Sequence, residues 1–202
     1  MKTIQIIMTL IMIGLISFSC KSTQESAISK QAKEIRKAGF YIEIGALPME
    51  FQLERSHKFE QDVDSSGKPK YIVTSGRALA NTHIAAKMQA LAAAKNNIAG
   101  LLASDIAGLV ESSVSNNQLS RMEAQSITKT LSANTNIIAQ KLGKVMPLMV
   151  TYHDVGDNVE ASVRIAVNKN QADVGAKKAA FKKLQEDTEV TKNKLSRLLG
   201  LE

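Results

Sequence analysis

NTHIAAKMQALAAAKNNIAGLLA, residues 81–103, is the stretch on which the architecture turns. Alanine gives up no side-chain entropy on entering a helix, so a run this rich in it favours one. Ile84, Met88, Leu91, Ile98 and Leu102 recur at the spacing of one helix face. Ala85, Ala92 and Ala99 widen that stripe, and their small side chains let another layer come close to the helix axis. Lys87, Lys95, Asn96 and Asn97 take much of the remaining surface, and Asn81 or Thr82 can cap the first turn. The expectation is the central helix of a small α+β domain.

Outward from it, residues 70–77, KYIVTSGR, read as a β-branched strand ended by Gly76. Residues 104–115 alternate Ile106, Gly108, Val110, Ser112 and Val114 onto one side, which suggests a second strand; the other reading lets the helix run on to Leu109. Asn116 and Asn117 break the segment. Residues 118–131 have helical period, with a Ser120–Glu123 capping-box pattern. Residues 135–153 turn strand-like, with Pro147 confined to an edge or a bulge. After the DVGDN turn at 154–158, Val159, Ala161, Val163, Ile165 and Val167 alternate with mostly polar neighbours, so this strand pairs back as a hairpin with 145–153. Residues 172–199 form a final helix stopped by Gly200. Its Lys177, Lys178, Lys182 and Lys183 band either touches anionic lipid or protein or is a solvated face.

Upstream, residues 27–37 suit a short helix stopped by Gly39, residues 40–44 a brief strand, and Pro48 a helix start for 49–61. Residues 64–69 are a loop. The fold class expected is α+β, an antiparallel sheet of about four strands packed on one face by the Ala-rich helix and a C-terminal helix. The domain plan is a signal peptide at 1–19, a tether at 20–28, a peripheral segment at 29–64 and the α+β domain at 65–202.

Composition agrees with a globular chain: 44% of the 202 residues are apolar and 22% charged. Aromatics are only 4% and Trp is absent, so the core is aliphatic. The net charge of +7 favours anionic surfaces weakly, and Lys2 is its only contributor within residues 1–19. A nucleic-acid binder wants a basic stripe with interleaved aromatics, which this chain lacks, so no nucleic-acid partner is expected.

Met1 and Lys2 are followed by an almost wholly apolar run at 3–16, then by Ser17, Ser19 and the single cysteine, Cys20. A positive start, a short apolar run and small residues are the parts of a cleavable signal, and the run is too short to span a bilayer. Residues 1–20 resemble a bacterial lipoprotein signal peptide. That resemblance implies thioether lipidation of Cys20, cleavage before it and acylation of the new amino group. Several chains are needed, because one acyl chain anchors only marginally. Lys21 and Ser22 stand where inner-membrane retention commonly uses Asp, so the resemblance implies an outer-membrane anchor with the body facing the periplasm.

No residue pattern marks chemistry. His57, His83 and His153 lie in separate elements, without metal-ligand spacing. Gly100 and Gly108 satisfy neither nucleotide-loop motif, and no nucleophile elbow occurs. No catalytic, metal or cofactor residue is therefore assigned. The competing readings are a periplasmic, hydrolase-like enzyme assembled from scattered groups such as His153, Asp154 and Asp157, or a ligand-binding module using a cleft between sheet and helix.

YIVTSGRA at 71–78, the Ala-rich helix at 84–102, LVESSVS at 109–115 and VEASVRIAVNK at 159–169 occur in an order that resembles the twenty-kilodalton membrane-associated lipoprotein family first described in Helicobacter. The resemblance spans about residues 65–185. It implies an envelope-anchored, non-enzymatic domain that binds an envelope protein or itself.

Overall fold

The structure is a computed structural model in which residues 27–201 are described. The signal peptide, Cys20 and most of the expected tether lie outside them. In chain order the elements are α1 (residues 27–37), α2 (Met49–Gln61), β1 (Tyr71–Ala80), α3 (His83–Ser115), α4 (Arg121–Ala133), α5 (Thr135–Ala139), β2 (Val145–Val155), β3 (Asn158–Asn168), α6 (Lys169–Asp187) and α7 (Lys192–Leu199).

The sheet has three strands, not four, all antiparallel, in the order β1-β3-β2. The hairpin puts β3 in the middle, and β1 pairs along its other side from Tyr71↔Asn168 to Ala80↔Val159. Pro147 sits on edge strand β2 at the one register shift, where its missing N–H costs no ladder bond. The segment expected as the missing strand, 104–115, is helix. Ile106 and Val110 continue a buried series at steps of four, and nothing breaks the helix before Asn116. There Asn117 turns left-handed (φ 57°), and the N–H groups of Asn117 and Gln118 close onto the Val114 and Ser113 carbonyls.

The buried series on α3 is Ala86, Ala90, Ala94, Ile98, Leu102, Ile106 and Val110. Each step of four advances about 40° around the axis, so the stripe winds round the helix. Its alanine half lies on the sheet and its larger half meets α4 and α6. This winding corrects the straight stripe expected from the sequence: Ile84 and Met88 are 73% and 67% exposed. At the sheet, α3 touches β1 backbone to backbone. A Cβ on Gly76 would fall inside the van der Waals shells of the Ala90 oxygen and the Ala94 nitrogen. Gly76 therefore lies within β1 and does not end it. By length and mean hydropathy (1.3) α3 is also apolar enough to cross a membrane; here one winding stripe of it is buried against sheet and helices.

Other boundaries differ too. Residues 135–144 hold the short α5 rather than strand, and the final helix is two, parted at residues 188–191. Residues 40–44 give only one bridge, Tyr41 with Tyr152. Of the two cap candidates for α3, Asn81 and Thr82, it is Thr82 that accepts from the Ala85 N–H, and Ser120 and Glu123 form the expected reciprocal capping box. The largest correction concerns layers. Helices cover both faces of the sheet, because α1 and α2 pack on the side away from α3 through Ala32, Met49, Leu53 and Met149. The sheet's polar face is therefore partly roofed rather than simply wetted.

Candidate functional site

That roof creates a polar, half-enclosed cleft. Strand alternation sends Ser75 and Arg77 of β1, Arg164 and Ser162 of β3, and Thr151 of β2 to the outer face. The register sets them in two rows, Ser75–Arg164–Met149 and Arg77–Ser162–Thr151. With Gln31 and Glu34 of α1 above them they line a cleft of about 320 Å³. Arg164 pairs with Glu60 of α2, and Arg77 lies 3.9 Å from Glu160 and over the Phe40 ring. The Nε of Arg164 is buried and has no hydrogen-bond partner among the described residues. The cleft thus offers guanidinium and hydroxyl donors with one donor unspent, which suits oxygen anions.

His153 and Asp154, adjacent in sequence, are sent to opposite sides of β2. His153 faces outward beside the cleft, packed on Phe40 (ring centroids 5.1 Å apart) and 3.8 Å from Glu160. Asp154 instead accepts a 2.7 Å hydrogen bond from the Tyr41 hydroxyl, which also lies 3.0 Å from Nε2 of His83. Because the Tyr41 O–H is donated to Asp154, its oxygen can only accept in the second contact, which takes the His83 tautomer with its proton on Nε2. The bond to Asp154, aided by burial, pushes the Tyr41 hydroxyl up to about 12. Tyr41 and Tyr152 also exchange two backbone hydrogen bonds of 2.8 Å, so the array fastens residues 40–42 along the edge of β2. Asp157 stays in the hairpin turn, apart from both clusters. The three residues expected to assemble an enzyme site are not brought together.

Further clefts lie on the α3 side. One of about 560 Å³ runs between the end of α3 and α4 past Val110, Val114, Arg121 and Ala124. One of about 450 Å³ lies between α5 and α6 and includes Lys178, Lys182 and Lys183. Lys183 pairs with Asp187 at 2.9 Å on its own helix, as a solvated face would. His57 bonds to Gln31 at 3.1 Å and so ties α2 to α1. No group of three or more potential metal-ligating side chains is found among the described residues.

Sequence reading missed both the cleft and Tyr41. The signal for the cleft was the period-two placement of Ser75, Arg77, Ser162 and Arg164, which acquires meaning only once β1 is paired with β3. Tyr41, His83 and Asp154 are far apart in the chain, and nothing local joins them. Comparison with protein-family models, with curated proteins and with solved structures finds no match to this chain.

Proposed function

We propose that this chain is a lipid-tethered protein of the bacterial cell envelope that acts by binding an envelope partner or itself rather than by catalysis. The observation that carries this reading is spacing. Cys20 ends the apolar run and small residues of a lipoprotein signal, and the described body is reached within seven residues of it, at Ala27. An acyl anchor on Cys20 would hold the three-layered body close to a bilayer, most naturally the periplasmic side of the outer membrane. The polar groups that converge in the fold support binding over chemistry. Tyr41 is held by Asp154 and Arg164 by Glu60, so these contacts tie layers together. The element order that resembles the twenty-kilodalton lipoprotein family points the same way. Replacing Cys20 by Ser should abolish acylation and move the protein from the membrane to the soluble fraction. Intact mass and fractionation read this out, and an unmodified thiol on the processed wild-type chain would refute the proposal.

A second reading, a small-ligand module, is favoured by one observation, the unspent buried donor of Arg164 in the outer-face cleft. Phosphate and small carboxylates titrated against the amide spectrum should then shift Ser75, Thr151 and Ser162, and Arg164→Gln should abolish those shifts. Unmoved resonances would remove this reading.

A further inference from the structure

The outer surface of the α1–α2 layer has a chemistry of its own. Ile28, Ala32 and Ile35 turn inward on α1, which leaves Lys30, Lys33 and Lys37 exposed on one outward line along the helix. These three lysines have no ion-pair partner among the described residues. At the far end of α1 the chain makes an elbow into α2, and there Ile44, Leu47 and Phe51 are 103%, 60% and 63% exposed. Large apolar side chains gathered in one short stretch and left in water call for a cover. The Arg36–Glu50 pair braces the elbow, with two contacts of 2.7 and 2.8 Å between α1 and α2. The Arg36 guanidinium holds the Glu50 carboxyl below its usual range.

We infer that this face lies on an anionic phospholipid bilayer, with the Ile44–Leu47–Phe51 elbow entering the headgroup layer and the α1 lysines against the lipid phosphates. The inference rests on the anchoring reading and adds an orientation to it. Reach favours it: the seven residues from Cys20 to Ala27 extend at most about 25 Å, against about 16 Å for residues 27–37 as helix. A body tethered that closely meets the bilayer continually, and α1 is the first of the described elements. Charge and shape also fit, since basic residues beside an apolar tip suit an anionic interface, whose attraction falls off within a Debye length.

The natural sequence contains no Trp, so Phe51→Trp supplies a single fluorophore at the elbow. Met122→Trp, 82% exposed on α4 in the opposite layer, supplies the control. The acylated full-length proteins are reconstituted into phosphatidylethanolamine–phosphatidylglycerol vesicles, with and without nitroxide-labelled lipid. The expected result is blue-shifted emission from Phe51→Trp and loss of its intensity to the nitroxide. Met122→Trp stays unshifted and unquenched, and adding Lys33→Glu and Lys37→Glu weakens quenching of the elbow reporter. Protein that floats with the vesicles while Phe51→Trp remains unquenched overturns the orientation and leaves the anchor standing. A shift seen only in intact envelopes assigns the face to a protein partner and also overturns it. A chain of unmodified mass that does not float overturns the anchor, and this inference with it.

Discussion

At Gly76 the fold depends on a missing atom. The backbones of β1 and α3 are in contact there, and any Cβ meets main chain that cannot swing aside. Gly76→Ala should therefore cost about 1–3 kcal/mol, or more if α3 shifts as a body. In a domain of this size that lowers the melting temperature by roughly 2–4 °C per kcal/mol, which calorimetry can measure. Gly100→Ala is the matched control: it lies within the same helix, nothing stands within 4 Å of its would-be Cβ, and Ala favours the helix. It should raise stability by up to about 1 kcal/mol. Tyr41 makes the second residue-scale test. Its raised pKa means that the folded state favours the neutral phenol. The contribution is fully present below the ordinary value of 10 and is lost as pH rises to about 12. Tyr41→Phe should remove that alkaline dependence and about 0.5–1.5 kcal/mol of stability, as seen by denaturant melts at pH 7 and across the alkaline range.

Between elements, Glu123 does two tasks. It completes the capping box of α4 and accepts a 2.7 Å bond from Lys194 of α7. The Lys194 ammonium first, and the Ser120 N–H second, pull its carboxyl down to about 2. A depressed carboxyl stabilises the fold above its ordinary value of 4.5, and that stability drains away as pH falls towards 2. Lys194→Ala should raise the Glu123 titration midpoint, read by side-chain carbonyl NMR, and should speed hydrogen exchange in α7 before it affects α3. The elements themselves were legible to different degrees. The start of α2 at Pro48, the Ser120 cap and the hairpin turn each depend on neighbouring residues and were readable, and the choices left open, Asn81 or Thr82 for the α3 cap and edge or bulge for Pro147, were narrow ones. Residues 104–115 were not, because Ile106 and Val110 fit both a period of two and a step of four. What decides between those periods is the presence of α4 and α6 to receive the winding stripe. The cleft was illegible for the same reason: Arg77 and Arg164 become neighbours through β1–β3 pairing and gain a roof through α2, and neither event is written locally.

For the molecule as a whole, the two helical layers are held to the sheet by unequal means. The α3 side buries a continuous core running from Ala86 to Leu199, whereas the α1–α2 side has a small cluster around Ala32, Met49, Leu53 and Met149. Hydrophobic stabilisation scales with apolar area buried, so the outer layer depends more on its polar ties. One such tie is Gln52, whose side chain accepts from the Val150 N–H at 3.0 Å and donates to the Leu47 carbonyl at 2.7 Å. It thereby covers the edge of β2 next to the bulge. Units with less buried area open at lower free energy than the global core. Amides of residues 27–61 should therefore exchange faster than those of β3 and the sheet-facing half of α3. Gln52→Ala should widen that gap: it leaves the Val150 N–H to water or unpaired, at about 1–3 kcal/mol if it stays buried. Exchange should then accelerate at Val150 and through α1 and α2, with β3 nearly unchanged. Equal acceleration across both layers would mean that the molecule opens as one cooperative unit. The outer layer would then lack the independence that a surface resting on a bilayer could exploit.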